Sequence, residues 1–207
     1  MTTAGVARTA TIFSKMWDRF EPFTTNDVQV AKATYGVSVF GQYLETMTTA
    51  SRDAVWSGGG AILLLSDAPL GALSATVGHA KAASLLKLAN ALGAPKGLHA
   101  MVDFEAQSGD AEGYGTALTG DLAGDGFVPL AYAGAGTLLT GHQLYALPNA
   151  HLYWRGGSLG IPEPDCGFGI WQIPPLSHSF AGISGPVDVS EVGADGRGRL
   201  PILWYPS

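Results

Sequence analysis

An apolar run closes on two carboxyl groups at Met101-Val102-Asp103-Phe104-Glu105, the centre of the stretch GLHAMVDFEAQSGD. Side chains alternate along a strand, so Asp103 and Glu105 share a face with Met101, while Val102 and Phe104 take the other. Two acids side by side at the end of a buried strand are costly unless something uses them. One use is acid–base chemistry, in which one carboxyl carries a proton and its neighbour a charge. The plainer alternatives are a helix cap or a solvated strand end.

Other polar groups fall at the ends of apolar runs: Asp18, Gln42, Asp67, Gln172 and Asp188. In a parallel barrel the carboxyl ends of the strands converge on one mouth, where active sites are built, so these groups form a set. Tyr43, Tyr132, Trp154 and Trp171 lie near the same ends and are candidates to stack on a ligand ring. Asp67 serves equally well as a helix cap. Two other patterns carry less. GGSLG around Ser158, followed by Asp165 and His178, fits a hydrolase elbow, but the next residues, IPEP, forbid the helix the elbow requires. GAG at 134–136 resembles a dinucleotide loop, but its third glycine, Gly141, comes too late and no acid closes a following strand. The five histidines show no metal-ligand spacing, so neither a metal nor a cofactor is expected.

The elements that must position these groups alternate. A strand is expected at TIFSKMW (11–17), then a helix opened by Thr24 with Asp27, and a strand at GVSVFGQYL. A short helix stopped by Gly58 and the wholly apolar strand AILLLSD follow. The clearest helix is ALSATVGHAKAASLLKLANALG, with Gly93 as its stop. After the Asp103/Glu105 strand come a Gly-rich helix (111–124), the strand FVPLAYAG, the helix TLLTGHQLYAL and three late strands, HLYW, FGIWQI and GPVDVS. Repeated strand–helix units predict parallel strands with right-handed crossovers. About eight strands suit closure, so the expectation is an irregular parallel β/α (TIM-like) barrel in one domain. Residues 11–192 would form it, with a loose arm at 1–10 and a tail at 193–207. That tail, GRLPILWYPS, is apolar enough to demand cover from the barrel or from a partner chain.

Composition narrows the function. Of 207 residues, 46% are hydrophobic and 14% charged, and the formal net charge is −6, which suits a folded globular chain and argues against a nucleic-acid groove. Cys166 is the single cysteine, which rules out an intrachain disulfide. No segment reads as a signal peptide or a membrane span, so a site of action outside the cell or on a virion implies a non-classical route.

The motifs, in register, resemble a known family. HAMVDFEA is similar to the Asp-x-Glu strand of glycoside hydrolase family 25 lysozymes and to the corresponding strand of the actinobacterial glycoside-hydrolase-like domain. VSVFGQYLE resembles that domain's second strand, with Gln42 where Arg is common. HAKAASLLKLANALGAPKG, VPLAYAGAGT, and GIWQIPP with ISGPVDVSEV resemble later segments, so the likeness runs from about Asp18 to Val192. The departures are KMWDRF in place of a clear Asp-Val-Ser opening strand, Ser190 where Asn is usual, and His79 where Asp is common.

The resemblance implies a cleft that cuts the amino-sugar backbone of peptidoglycan, with peptidoglycan or a related polymer as partner. Glu105 would be the general acid. Asp103 would stabilise developing charge or orient the substrate's acetamido group, and Asp188 and Asp18 would line the site. Tyr43, Asp67, Tyr132, Trp154, Trp171 and Gln172 would contact substrate. The spacing suits both substrate-assisted cleavage and water attack helped by Asp18 or Asp188. The alternative is a catalytically silent barrel with a structural or adhesive, carbohydrate-binding role, for example in a phage particle.

Overall fold

A computed structural model describes residues 5–105 and 108–207. The chain begins with β1 (Val6–Thr9) and then lays down β2 (Lys15–Arg19), α1 (Thr25–Tyr35), β3 (Val37–Tyr43), α2 (Thr49–Ser57) and β4 (Ala61–Leu65). It continues with α3 (Ala75–Ala91), β5 (His99–Asp103), α4 (Ala111–Gly124), β6 (Val128–Ala133), α5 (Gly141–Ala146) and β7 (Leu152–Arg155). The last elements are β8 (Ile170–Gln172), β9 (Asp188–Val192) and β10 (Ile202–Tyr205).

Local chemistry sets the helix starts. Thr24 and Asp27 form a reciprocal capping box on α1, and Thr48 with Ser51 does the same on α2. Ser74 and Asp110 cap α3 and α4 through their side chains. β4, the run Ala61-Ile62-Leu63-Leu64-Leu65, is buried on both faces, as a strand between a barrel lumen and a helix layer must be.

Eight strands close into a barrel in the order β4-β3-β2-β9-β8-β7-β6-β5, and Leu64 beside Ala100 completes the ring. Strands β2 to β8 run parallel to one another, as the alternating pattern predicts. β9 departs from the expected parallel set, since it is antiparallel to both β8 and β2. The reason lies in the link 173–187, which holds no helix to carry the chain back across the barrel. A parallel return needs such a crossover, so the chain turns and descends beside β8 instead.

Apolar side chains fill two layers. Met16, Val39, Leu63, Met101, Leu130 and Leu152 meet inside the barrel. Phe40, Val102, Tyr114, Leu118 and Tyr153 pack between strands and helices. Residues 6–9, expected within a loose arm, form β1, which pairs antiparallel with β10. β10 joins β4 where Trp204 meets Ile62, and Leu203 and Trp204 are fully buried. The apolar tail is thus covered by its own chain. No described helix is long and apolar enough to cross a membrane.

Candidate active site at the carboxyl end of the barrel

One step beyond the apolar lumen, the inward-facing positions turn polar. Asp18 follows Met16 by two residues on β2, Asp103 follows Met101 on β5, and Tyr132 follows Leu130 on β6. Gln172 stands two beyond Ile170 on β8. Because β9 runs the other way, its first residue, Asp188, reaches the same mouth and lies opposite Asp18 in register. Alternation and register therefore bring Asp18, Asp103, Tyr132, Gln172 and Asp188 together.

Asp18 is buried at the floor. Gly41 on β3 makes the room, since a Cβ there would stand 2.6 Å from the Asp18 Cβ. Its Oδ1 has no hydrogen-bond donor among the described residues. Burial, and then the charge of Asp188, push its carboxyl well above the usual range. Asp188 is better supplied. Its Oδ2 accepts from Gln172 Nε2 at 2.8 Å and its Oδ1 from the Ser177 N–H at 2.6 Å. Gln172 Oε1 in turn accepts from the Tyr132 hydroxyl at 2.9 Å and the Gly157 N–H at 3.0 Å, which fixes which way the amide faces.

Asp103 is also buried, and its Oδ1 accepts from the Glu105 N–H at 2.7 Å. Burial is the main force lifting its carboxyl to about 7, with the Glu105 charge adding to it and the Glu105 N–H and Lys81 pulling the other way. A carboxyl raised this far still holds its proton, in part, near neutral pH. Glu105, just past β5, is half-buried, and its carboxylate lies over Gly134, where any side chain would displace it. It lines an open cleft of about 520 Å³ with Pro69, Leu70, Ala72, Ser108 and Gly136. Asp18 and Asp188 line a second depression of about 280 Å³ with Phe20, Leu176 and Ser177. Burial first, and then the nearby carboxylates (Asp18 and Asp103 for Tyr43, Glu105 and Asp103 for Tyr132), raise the hydroxyls of Tyr43 and Tyr132.

Not every sequence-predicted contact residue reaches the mouth. Trp154 faces inward but is fully buried, with its ring edge-on to Tyr132 at 5.2 Å, so it supports the floor and offers no face to a ligand. Trp171 falls on the other side of β8, against the outer core and Gly193. Asp67 stands on the rim, held by the Lys81 ammonium, which also reaches Glu45 at 2.7 Å. Lys81 and Glu45 are additions that sequence reasoning missed. They are 36 residues apart and meet only through the fold, so no local spacing marks them.

The weaker patterns lie elsewhere. Asp165 pairs with His142, at 2.9 Å, and His178 stacks on Phe180, so neither completes a relay to Ser158. Among the described residues no three His, Cys, Asp or Glu side chains gather as a metal-binding set.

Fold and site together define a closed β/α barrel whose mouth gathers carboxyl groups. No family model matches the sequence, and no curated protein does. Among solved structures, an uncharacterized B. stearothermophilus protein matches with TM-score 0.71 and 17% identity, over 86% of this chain and 95% of that one. The CTP1L endolysin matches with TM-score 0.62 and 15% identity, over 86% of this chain and 66% of the endolysin. The modular autolysin LytC from Streptococcus pneumoniae matches with TM-score 0.58 and 17% identity, over 93% of this chain and 46% of the autolysin. At such identities the likeness is one of fold.

Proposed function

We propose that the protein is a glycoside hydrolase directed at peptidoglycan or a related amino-sugar polymer. One observation carries this reading: Asp18, Asp103, Asp188 and Glu105 meet at one barrel mouth beside an open cleft. Glycoside cleavage needs a proton for the leaving oxygen and negative charge near the oxocarbenium-like transition state. Asp103 and Glu105 adjoin, the Glu105 N–H donating to the Asp103 carboxyl at 2.7 Å. Glu105 is the member on the cleft, so it delivers the proton to the glycosidic oxygen as the C–O bond breaks. Asp103 holds the acetamido group or steadies the developing positive charge. Asp188 and Asp18 face the opposite side of the sugar, with Tyr43, Tyr132, Gln172 and Asp67 contacting it. The departing oxygen leaves with the bonding pair and the proton, and the anomeric carbon gains a new bond from the acetamido oxygen, or from a water whose proton passes to Asp188 or Asp18. The chain's fold neighbours include an endolysin and an autolysin, which is in keeping with this reading.

Glu105→Gln keeps the shape but cannot donate the proton, so release of reducing sugar from purified peptidoglycan should fall by about two to four orders of magnitude. Asp103→Asn should slow the reaction as well, and the double variant should lose less than the product of the two effects. Wild-type protein that releases no sugar from several wall types would reject an enzyme. A specific feature favours the second reading, a silent adhesive barrel. The rim carries exposed apolar side chains, Leu70 and Leu159 together with Phe20, which suit adhesion without chemistry. Wall binding without cleavage would establish it.

A further inference from the structure

The charge at the mouth is unbalanced. Asp18, Asp103, Glu105 and Asp188 face it from the strands, and Glu45 and Asp67 stand on the rim. Against these six carboxyl groups the rim sets one ammonium, that of Lys81, already shared by Glu45 and Asp67. Arg19 lines the same 280 Å³ depression as Asp18, but its guanidinium is bonded to Asp27, to Ser184 and to the carbonyls of Glu21 and Pro22. Arg155 is bonded to the carbonyls of Gly156 and Ser158. Even with protons held on Asp18 and Asp103, the remaining Glu105, Asp188, Glu45 and Asp67 outnumber the one ammonium that faces them.

An acidic cluster alone says little, but a separate feature marks a place for a ligand. Asp18 is only 3% exposed, lies on the lumen-facing side of β2 and lines the 280 Å³ depression. Its buried Oδ1 has no donor among the described residues. Buried polar atoms are almost always paired, so such an oxygen calls for a donor brought from outside. The donor that also answers the surplus negative charge is a cation with N–H bonds.

Resting on the glycosidase reading, we propose that the amino-sugar polymer this mouth takes is a de-N-acetylated one, with a free ammonium group placed over Asp18 and Asp188. A protonated glucosamine unit supplies three N–H donors and one positive charge where an acetamido unit supplies one donor and none. Lactyl or peptide carboxylates would meet repulsion there, and charge of one sign in a concave, poorly hydrated site acts strongly on what enters. The Asp18 depression takes the amine, and the cleft at Glu105 takes the next sugar and the bond to be cut.

Binding tests this without requiring turnover. Glu105→Gln protein would be titrated calorimetrically with tetramers of N-acetylglucosamine and of glucosamine at about pH 6.5, where the amines are still largely protonated and fewer of the mouth carboxyls are. The glucosamine tetramer should bind at least about tenfold more tightly at about 20 mM salt, and the advantage should shrink steeply by about 500 mM. Asp18→Asn should remove most of the advantage. Asp67→Asn, a rim change remote from the floor, should reduce it by about two- to threefold, which keeps the test alive should Asp18→Asn misfold. Equal or tighter binding of the acetylated tetramer overturns the ammonium assignment and leaves the glycosidase reading standing. Failure to bind either tetramer or peptidoglycan fragments overturns both.

Discussion

Asp18 and Asp27 lie nine residues apart, both buried, on either side of the same arginine, and they are treated in opposite ways. Asp27 accepts from Arg19 Nη2 at 2.8 Å, from the Ser184 N–H and hydroxyl at 2.8 and 2.7 Å, and from the Thr24 N–H at 3.0 Å. Burial alone would raise its carboxyl, yet these donors hold it near about 2. Asp18 precedes Arg19 directly but points into the barrel, while Arg19 points out, because adjacent side chains on a strand take opposite faces. The pleat separates acid from cation. One aspartate becomes a clasp tying the link 173–187 to α1, and the other remains a buried acid with an orphan oxygen. What distinguishes a structural carboxylate from a site carboxylate here is the supply of donors, since depth is the same.

Breaking the clasp should have the largest effect. Asp27→Ala strands the buried Arg19 guanidinium and removes the acceptor for Ser184 and Thr24. Its cost should be roughly 3–5 kcal/mol in urea unfolding, the usual range when one partner of a buried pair is lost. The clasp also sets an acid limit. The folded carboxyl lies below its unfolded value of 3.8, so its contribution is complete above about pH 4 and lost as pH falls through about 2.

The opposite end of the barrel offers a second contrast. His99 is fully buried, its Nδ1 accepts from the Ile202 N–H at 2.7 Å, and its Nε2 meets His151 Nδ1 at 3.3 Å. Burial, then His151 and Arg199, lower its titration to about 3. The unfolded chain binds this proton near 6.5 and the folded chain does not. Stability is therefore full above about 6.5 and declines as pH falls toward 3, by about 2–4 kcal/mol. His99→Gln, which keeps an acceptor for Ile202, should flatten this limb in unfolding measured from pH 7 to pH 4. An unchanged slope would show that His99 takes up its proton in the folded state.

At the mouth the sign reverses. Asp103 titrates near about 7 when folded, above its unfolded 3.8, so the folded state holds the extra proton and loses stability as pH rises through that window. Asp103→Asn keeps an acceptor for the Glu105 N–H and never ionises. It should therefore stabilise the protein by about 1–3 kcal/mol at pH 8 and by little at pH 4, while slowing glycan cleavage. Equal stabilisation at both pH values would place the benefit in packing and not in charge.

Much of this architecture is legible in the sequence, and the exceptions have physical causes. Alternating apolar runs and helix caps announce a closed barrel, and Met101-Val102-Asp103 announces an acid beyond a packed lumen. The direction of β9 is hidden, because GPVDVS reads alike upwards or downwards and only the missing crossover decides it. Within the three residues of β8, alternation says that Trp171 and Gln172 part company, but not which of them faces in. Neighbouring strands settle that for Gln172, through Tyr132 and Asp188. The spacing marks Asp103 and Glu105 as a pair, and the family resemblance makes Glu105 the expected donor. Depth, which a sequence does not display, is what pushes the Asp103 carboxyl up.

The smallest expected effect sharpens the opening comparison by keeping the ion pair and removing the burial. Lys96 and Asp125 are joined much as Arg19 and Asp27 are, and the Lys96 ammonium lies 4.6 Å from the centre of the Phe127 ring. Their side chains are 49% and 39% exposed, against 5% and 2% for the buried pair. Water competes for both charges, salt screens them, and neither group is left desolvated when its partner goes. Asp125→Asn should therefore leave the urea midpoint unchanged within error, at low salt and high. Asp27→Asn, the same change in the clasp, should shift it clearly, because Arg19 would keep its burial and lose its counter-charge. Similar shifts in the two variants would mean that ion pairing as such stabilises this fold, and the contrast between Asp18 and Asp27 would need another cause than the supply of donors.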